Sequence, residues 1–183
     1  MDQVGNVMNK NISKSIARKI NLLAYYQLAG GVVGMLMILW ALTQIGSITG
    51  LVLAILIIVA LLYSFSIFCG RKLLSGEIDL GLKLSKLIQV VQIFSFALLG
   101  YAFKFIAGFG VLIGFDFTDS FNFRFAFNTS DFQINYNSDD EVVSLMVNIL
   151  AIYLIQFISE LQEDIKEYRL IHAANLENTG LIE

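Results

Sequence analysis

The chain has 183 residues, of which 57% are hydrophobic and 15% are charged, and it contains no proline. Average proteins have about 25% charged residues and about 5% proline, and a soluble domain needs more charge to cover its surface. The apolar content excludes a disordered chain, the single cysteine (Cys69) excludes a disulfide framework, and the net charge of −3 argues against a nucleic-acid partner. The composition therefore predicts an integral membrane protein.

The first segment, residues 1–21, combines a basic and an apolar repeat. Lys10, Lys14 and Arg18 recur every four residues, and three isoleucines recur with the same spacing on the opposite side of a helix. This pattern predicts a cytoplasmic basic amphipathic arm along the membrane surface. The charge of the arm is either a simple topology signal or a docking site for a partner or an anionic lipid.

Three apolar runs follow within residues 22–107, and each is about as long as a membrane-spanning helix. The predicted spans are residues 22–42, 48–69 and 86–107. Ten Lys and Arg residues lie in segments assigned to one side of the membrane, whereas Arg124 alone lies on the other. The positive-inside rule then places both termini in the cytoplasm of a multi-pass protein, which we assign to a bacterial inner membrane.

The next segment, residues 108–139, changes to a period of two and is predicted to be an extracytoplasmic aromatic β-element. Its alternating aromatic positions are Phe121, Phe123, Phe125, Phe127, Phe132 and Tyr136. Because Asn128–Asp131 has turn chemistry, we predict a hairpin from Phe121 to Tyr136 within a meander that begins near Phe109. For residues 105–117 the sequence leaves strand and helix open.

The predicted sheet has one aromatic face and one polar, acidic face. Strands with free edges cannot lie in hydrocarbon, so the sheet is expected above the bilayer with its Phe face covered. The cover is the top of its own helix bundle, the lipid interface or a second copy, since an exposed Phe ladder would aggregate. Lys104, the only charge inside an apolar run, either snorkels or is a functional cation that pairs with an acid of the outer loop or selects anions.

Residues 140–176 are predicted to form the fourth span and its cytoplasmic continuation as one long helix, followed by a tail at 177–183. Asp139 or Asp140 would cap the start of this helix. Beyond Ser159, four acids share one helix face: Glu160, Glu163, Asp164 and Glu167. Like charges at this spacing repel, so the acidic stripe is expected to contact the basic segments or a partner, unless it is only a solvated helix end.

A set of polar side chains in the predicted spans offers an intramembrane path: Gln89, Gln92, Lys104, Asn148 and Gln156. Such residues usually hydrogen-bond to neighbouring helices, although in an oligomer they can line a pore. Two small-residue pairs, Gly30 with Gly34 and Gly46 with Gly50, predict close helix contacts.

The motifs of common membrane enzymes are missing from the sequence. A single histidine, His172, does not support a zinc site with one cysteine, and the spans hold no acid and no phosphate-binding glycine motif. We therefore predict an all-α integral membrane protein, a four-transmembrane-helix bundle with a small extracytoplasmic antiparallel β-hairpin or meander between helices 3 and 4, and with no cofactor, metal or catalytic residue.

The predicted function is that of a non-enzymatic integral membrane subunit or scaffold in the lipid bilayer. It would act by self-association as a homo-oligomer or through a membrane-protein partner, and its association surface would be the alternating aromatic positions and the acidic stripe. The alternative is an oligomeric ion channel or pore-forming membrane protein that uses the polar path.

Overall fold

The computed structural model describes residues 13–46, 48–136 and 142–178, apart from the side chains of residues 176–178. The helices are α1 (Lys14–Gln44), α2 (Gly50–Leu74), α3 (Ile78–Val91) and α4 (Ile149–Asn178). The strands are β1 (Phe94–Leu98), β2 (Tyr101–Asp116), β3 (Asn122–Asn135) and β4 (Val143–Asn148). Most of the predicted basic arm and most of the predicted tail lie outside the described residues, as does the predicted cap at Asp139 or Asp140.

Two of the described helices, α1 and α2, are long and apolar enough to cross a membrane. The prediction of an all-α bundle with four membrane-spanning helices is therefore wrong. The predicted third span, residues 86–107, is divided among the end of α3, β1 and the first half of β2, and the fourth apolar run begins with β4. Apolar length alone does not separate a helix from buried strands, and the pairing of β1 and β2 with β4 and β3 decides between them here.

The helices α1 and α2 form an antiparallel pair that approaches closely at glycines. A Cβ atom on Gly31 would lie 2.8 Å from the backbone oxygen of Tyr63, and one on Gly70 would lie 2.7 Å from the backbone oxygen of Ala24. By contrast, Gly46 and Gly50 have open space around them. The predicted close helix contact is thus present in the middle and at one end of the pair, and it is not found at Gly46 and Gly50.

Two apolar clusters show how the sheet and the helices pack. One cluster joins all four helices near the basic end of the pair, with Ile20, Leu82 and Ile158 fully or almost fully buried. The other cluster joins the opposite half of the helix pair to the sheet, with Tyr63 packed against Phe105 at a ring distance of 4.9 Å. The sheet therefore packs along the side of the helix pair and does not cap its end.

The four strands are antiparallel in the order β1-β4-β2-β3, with an additional pairing between β1 and β2. The start of β2 pairs with β1, and its last residues pair with β4, which itself pairs with β1. These three strands thus form a closed ring. Among the described strands, β3 pairs with β2 alone and forms the open edge of the sheet.

The hairpin predicted from Phe121 to Tyr136 is wrong, because β3 runs through this segment without a turn. Its partner is β2, and the connection between them is residues 117–121. Asp116 is the last residue of β2, directly before this connection. Its carboxylate accepts hydrogen bonds from the hydroxyl and the backbone N–H of Thr118 at 2.6 and 2.8 Å. Both bonds stabilise the charged form and lower the pKa of Asp116.

A two-residue turn at Leu99 and Gly100 joins β1 to β2, and both residues have positive φ, at 45° and 90°. A leucine is strained in this conformation, whereas Asn-Gly is the favoured sequence. We expect Leu99→Asn to stabilise the protein by about 0.5–1 kcal/mol, which thermal unfolding in detergent will measure. A lower melting temperature would mean that the leucine side chain makes a stabilising contact that outweighs its strain.

Candidate functional site

A bulge in β2 is the point where the sheet contacts the helix pair. The register against β3 shifts between Ile106 and Phe109, and Gly108 lies there with a φ of +101°. Gly30 of α1 packs directly on it, since a Cβ atom on Gly30 would collide with the backbone nitrogen of Gly108 and lie 2.7 Å from the carbonyl carbon of Ala107. A glycine is needed on both sides of this contact.

Side chains from α1, α2, β3 and the residue that follows α3 satisfy the backbone groups that the bulge releases from the ladder. The hydrogen bonds are Tyr63 Oη to the oxygen of Ile106 (3.2 Å), the N–H of Ala107 to Gln92 Oε1 (2.8 Å), the N–H of Gly108 to Ser130 Oγ (3.0 Å) and Tyr26 Oη to the oxygen of Phe109 (3.0 Å). Ser130 also donates to the backbone oxygen of Gly30 at 2.8 Å. The sheet is therefore fixed at one position along the helix pair.

The polar side chains of Asn128–Asp131, which predicted a turn, form hydrogen bonds beside the bulge. Ser130 is 2% exposed and bonds across to the bulge, and Asn128 donates to Asp131 at 3.0 Å. Because these side chains have partners on their own sheet and on α1, the chain continues as a strand. A glycine isolated in a strand pattern, such as Gly108, is the sequence signal for a bulge, but it does not say which residues will contact it.

The five residues of the predicted polar path lie in different surroundings. Gln89 and Gln92 are buried in the core, Asn148 accepts from the N–H of Val111 at 3.2 Å, and Gln156 is exposed on α4. Neither hydrogen bonds nor ion pairs within the described ranges join any two of the five. Both amide atoms of Gln89 are without a hydrogen-bond partner there. Gln92 and Asn148 therefore bind the backbone of β2, whereas Gln89 contributes through packing.

Lys104 lies beside a polar cavity of about 410 Å³ that is bounded by residues from all four strands. Its ammonium group pairs with Asp131 at 2.6 Å, and Arg124, which also lines the cavity, pairs with Asp116 at 2.8 Å. Each cation at the cavity thus has an acidic partner. The two pairs together carry no net charge, so they do not make the cavity a strong attractor for anions.

The alternating phenylalanines of the predicted association surface are uncovered. Phe121, Phe123, Phe125 and Phe127 are 63–68% exposed, and Tyr136 is equally exposed, whereas Phe132 packs against the core between sheet and helices. The idea that the bundle of the same chain covers this face is wrong. The arrangement follows from the sheet lying beside the helix pair, which leaves only one face for the helices.

One row of exposed apolar side chains crosses all four strands by direct pairing: Phe96, Leu145, Phe115 and Phe123. Phe109, Phe125 and Phe127 lie beside this row and are more than half exposed. We call these seven residues the outer aromatic face. It is a continuous apolar surface, which is uncommon on a soluble monomer.

Within the described residues, the acidic stripe of α4 reaches the basic start of α1 through Asp164. Asp164 accepts from Lys19 at 2.9 Å, and Glu160 accepts from Gln156 on its own helix. Glu163 and Glu167 are exposed. The Lys19–Asp164 pair is itself about 40% exposed, so it orients α4 against α1 but contributes little to stability.

The described residues contain no group of three or more His, Cys, Asp or Glu side chains placed to hold a metal ion. Comparison of the chain with protein families, with curated proteins and with solved structures gave no match. Three features of the described residues can bind lipid or another protein: the apolar helix pair, the outer aromatic face and the open edge of β3.

Proposed function

We propose that this protein is a membrane-embedded, non-enzymatic subunit that acts by association through the outer aromatic face and the open edge of β3. The helix pair supports membrane insertion, because its outward side chains are apolar and more than half exposed, as at Leu36, Ile57 and Leu61. Lipid is the natural solvent for such a surface.

The position of the sheet along the helix pair is the observation that carries the proposal. Gly30 and Tyr63, which contact the bulge, lie near the middle of α1 and α2. If the pair spans the bilayer, the outer aromatic face lies at the depth of the hydrocarbon. Lipid can cover aromatic side chains, but it cannot hydrogen-bond the free backbone groups of β3, so this edge requires a polypeptide partner.

The distribution of positive charge supports one orientation for this arrangement. Lys14, Arg18 and Lys19 lie at the start of α1, and Arg71 and Lys72 lie at the end of α2, which is the same end of the antiparallel pair. The positive-inside rule assigns that end to the cytoplasm. The helices α3 and α4 pack there as well, because they share the apolar cluster around Ile20.

The double substitution Phe123→Asn with Phe125→Asn tests the proposal. Because lipid already covers these rings, the double variant loses mainly ring–ring contacts, which contribute about 0.5–1.5 kcal/mol each, so we expect it to weaken association about tenfold or more. The mass of the protein in mild detergent, measured by light scattering, should fall from that of an oligomer to that of a monomer.

Tyr153→Asn is the matched control, since Tyr153 is 60% exposed on α4 and is not part of the outer aromatic face. The control variant should assemble like the natural protein, and circular dichroism should show the same fold in both variants. A double variant that is folded and still fully assembled contradicts the proposal.

An oligomeric pore is the second candidate, and the polar cavity bounded by the four strands is the observation that favours it. A pore would require this cavity to open through the assembly. Ion flux into liposomes that contain the purified protein distinguishes the two functions. Ion flux that is abolished by Lys104→Met would support a pore. Assembled protein that gives no ion flux would exclude the pore and favour the association subunit.

A further inference from the structure

We infer that the polypeptide on the open edge is a second copy of this chain, whose β3 pairs with β3 in antiparallel orientation around Phe125. This inference rests on the proposed function and names its partner. The free part of the edge is residues 122–128, because at Ser130 the strand bonds to Gly30 and contacts α1. The middle residue of that free segment is Phe125.

The free segment reads almost the same in both directions. Its sequence is Asn-Phe-Arg-Phe-Ala-Phe-Asn, from Asn122 to Asn128. In an antiparallel pair centred on Phe125, Phe123 lies opposite the partner's Phe127, and Phe125 lies opposite the partner's Phe125. Aromatic pairs directly across strands stabilise a sheet by about 0.2–1 kcal/mol each, and this register forms three of them.

Charge also favours this register. Arg124 lies opposite the partner's Ala126, so the two arginines do not face each other, whereas a pair centred on Arg124 would place like charges directly opposite. A pair centred on Ala126 avoids that repulsion but sets Phe123 opposite the partner's Thr129 and loses one aromatic pair. Each arginine is moreover paired with Asp116 in its own chain.

The pairing extends the outer aromatic face and also covers the open edge of β3. The row of Phe96, Leu145, Phe115 and Phe123 would continue across the interface onto the partner's strands, which gives one aromatic face over eight strands. The backbone groups of both edges would be satisfied at the same time. The contact is the same on both copies, so it closes as a two-fold dimer and does not propagate.

Cysteine cross-linking tests the register. The natural thiol at Cys69 is buried, and Cys69→Ala provides a background without it. Residues directly opposite in antiparallel strands have Cα atoms about 4.5–5.5 Å apart, which a disulfide can bridge. We therefore expect Phe125→Cys to form a covalent dimer in membranes treated with a mild oxidant.

Phe123→Cys is the matched control on the same face. In the inferred register its two copies lie four residues apart along the strands, about 14 Å, which is too far for a disulfide. A mixture of Phe123→Cys with Phe127→Cys should cross-link as a heterodimer, at least about tenfold more than either variant alone. Arg124→Cys mixed with Ala126→Cys should do the same while keeping every phenylalanine.

The outcomes separate this inference from the proposed function. If Phe123→Asn with Phe125→Asn disrupts assembly but Phe125→Cys gives no dimer, the aromatic face associates in another way and the β3 pairing is wrong. Cross-linking of Phe123→Cys alone likewise overturns the register. If the natural protein is monomeric in membranes and in mild detergent, the pairing is wrong, and the proposed function then requires a different polypeptide on the open edge.

Discussion

Gly30→Ala is expected to destabilise the folded protein by about 3 kcal/mol, at the upper end of the cost of overpacking. The added methyl group would collide with the backbone of Gly108, and it would lie 2.7 Å from the carbonyl carbon of Ala107. Flexible side chains can move away from such a group, but the backbone here is held by hydrogen bonds to Tyr63, Gln92 and Ser130. The sheet and the helix pair would have to separate.

Thermal unfolding in detergent, followed by circular dichroism, measures this effect. A loss of about 3 kcal/mol corresponds to a fall of about 6–12 °C in melting temperature for a domain of this size. Gly50→Ala is the control, because nothing lies within 4 Å of a Cβ atom at Gly50. Equal stability of the two variants would show that α1 and the bulge are not in contact.

Ser130→Ala is expected to have an effect of similar size for a different reason. The hydroxyl accepts from the N–H of Gly108 and donates to the oxygen of Gly30, and both bonds are lost together. The N–H of Gly108 is left without a partner, which costs about 1–3 kcal/mol, and the lost bond to the oxygen of Gly30 costs about 0.5–1.5 kcal/mol. The sum is therefore about 1.5–4.5 kcal/mol if water does not enter. The helix pair and the sheet would lose their most direct polar link.

The same unfolding measurement applies to Ser130→Ala, with Ser120→Ala as the control. Ser120 is exposed in the connection between β2 and β3, and its hydroxyl accepts from Asn122. A double variant with Gly30→Ala adds a second test, because changes that act on one contact are not additive. Fully additive losses of stability would mean that the two residues act at independent places.

This junction sets the position of the proposed association surface. Because Gly30, Ser130 and Tyr63 hold β2 at one level of α1 and α2, the outer aromatic face has a fixed depth relative to the helix pair. Variants at the junction should therefore weaken association along with stability. Variants at Phe123 and Phe125, which are exposed, should weaken association and leave stability nearly unchanged.

The sequence by itself determined the features that depend on local periodicity. The long apolar runs in α1 and α2 identify two helices able to span a membrane, and the alternation from Phe121 to Phe127 identifies a strand. Both patterns are carried by neighbouring residues, so they can be read without knowing what the segment contacts.

Only the tertiary structure decided the secondary structure of two segments. These are the apolar run after α3 and the polar residues in β3 that are typical of a turn. The run became β1 and β2 because pairing with β4 and β3 satisfies its backbone, and Asn128–Asp131 remained in a strand because Ser130 bonds to Gly30 and Gly108. These partners are distant in sequence: Gly30 lies 100 positions from Ser130. Which face of the sheet is covered depends on such long-range contacts, and the pattern of phenylalanines alone cannot specify it.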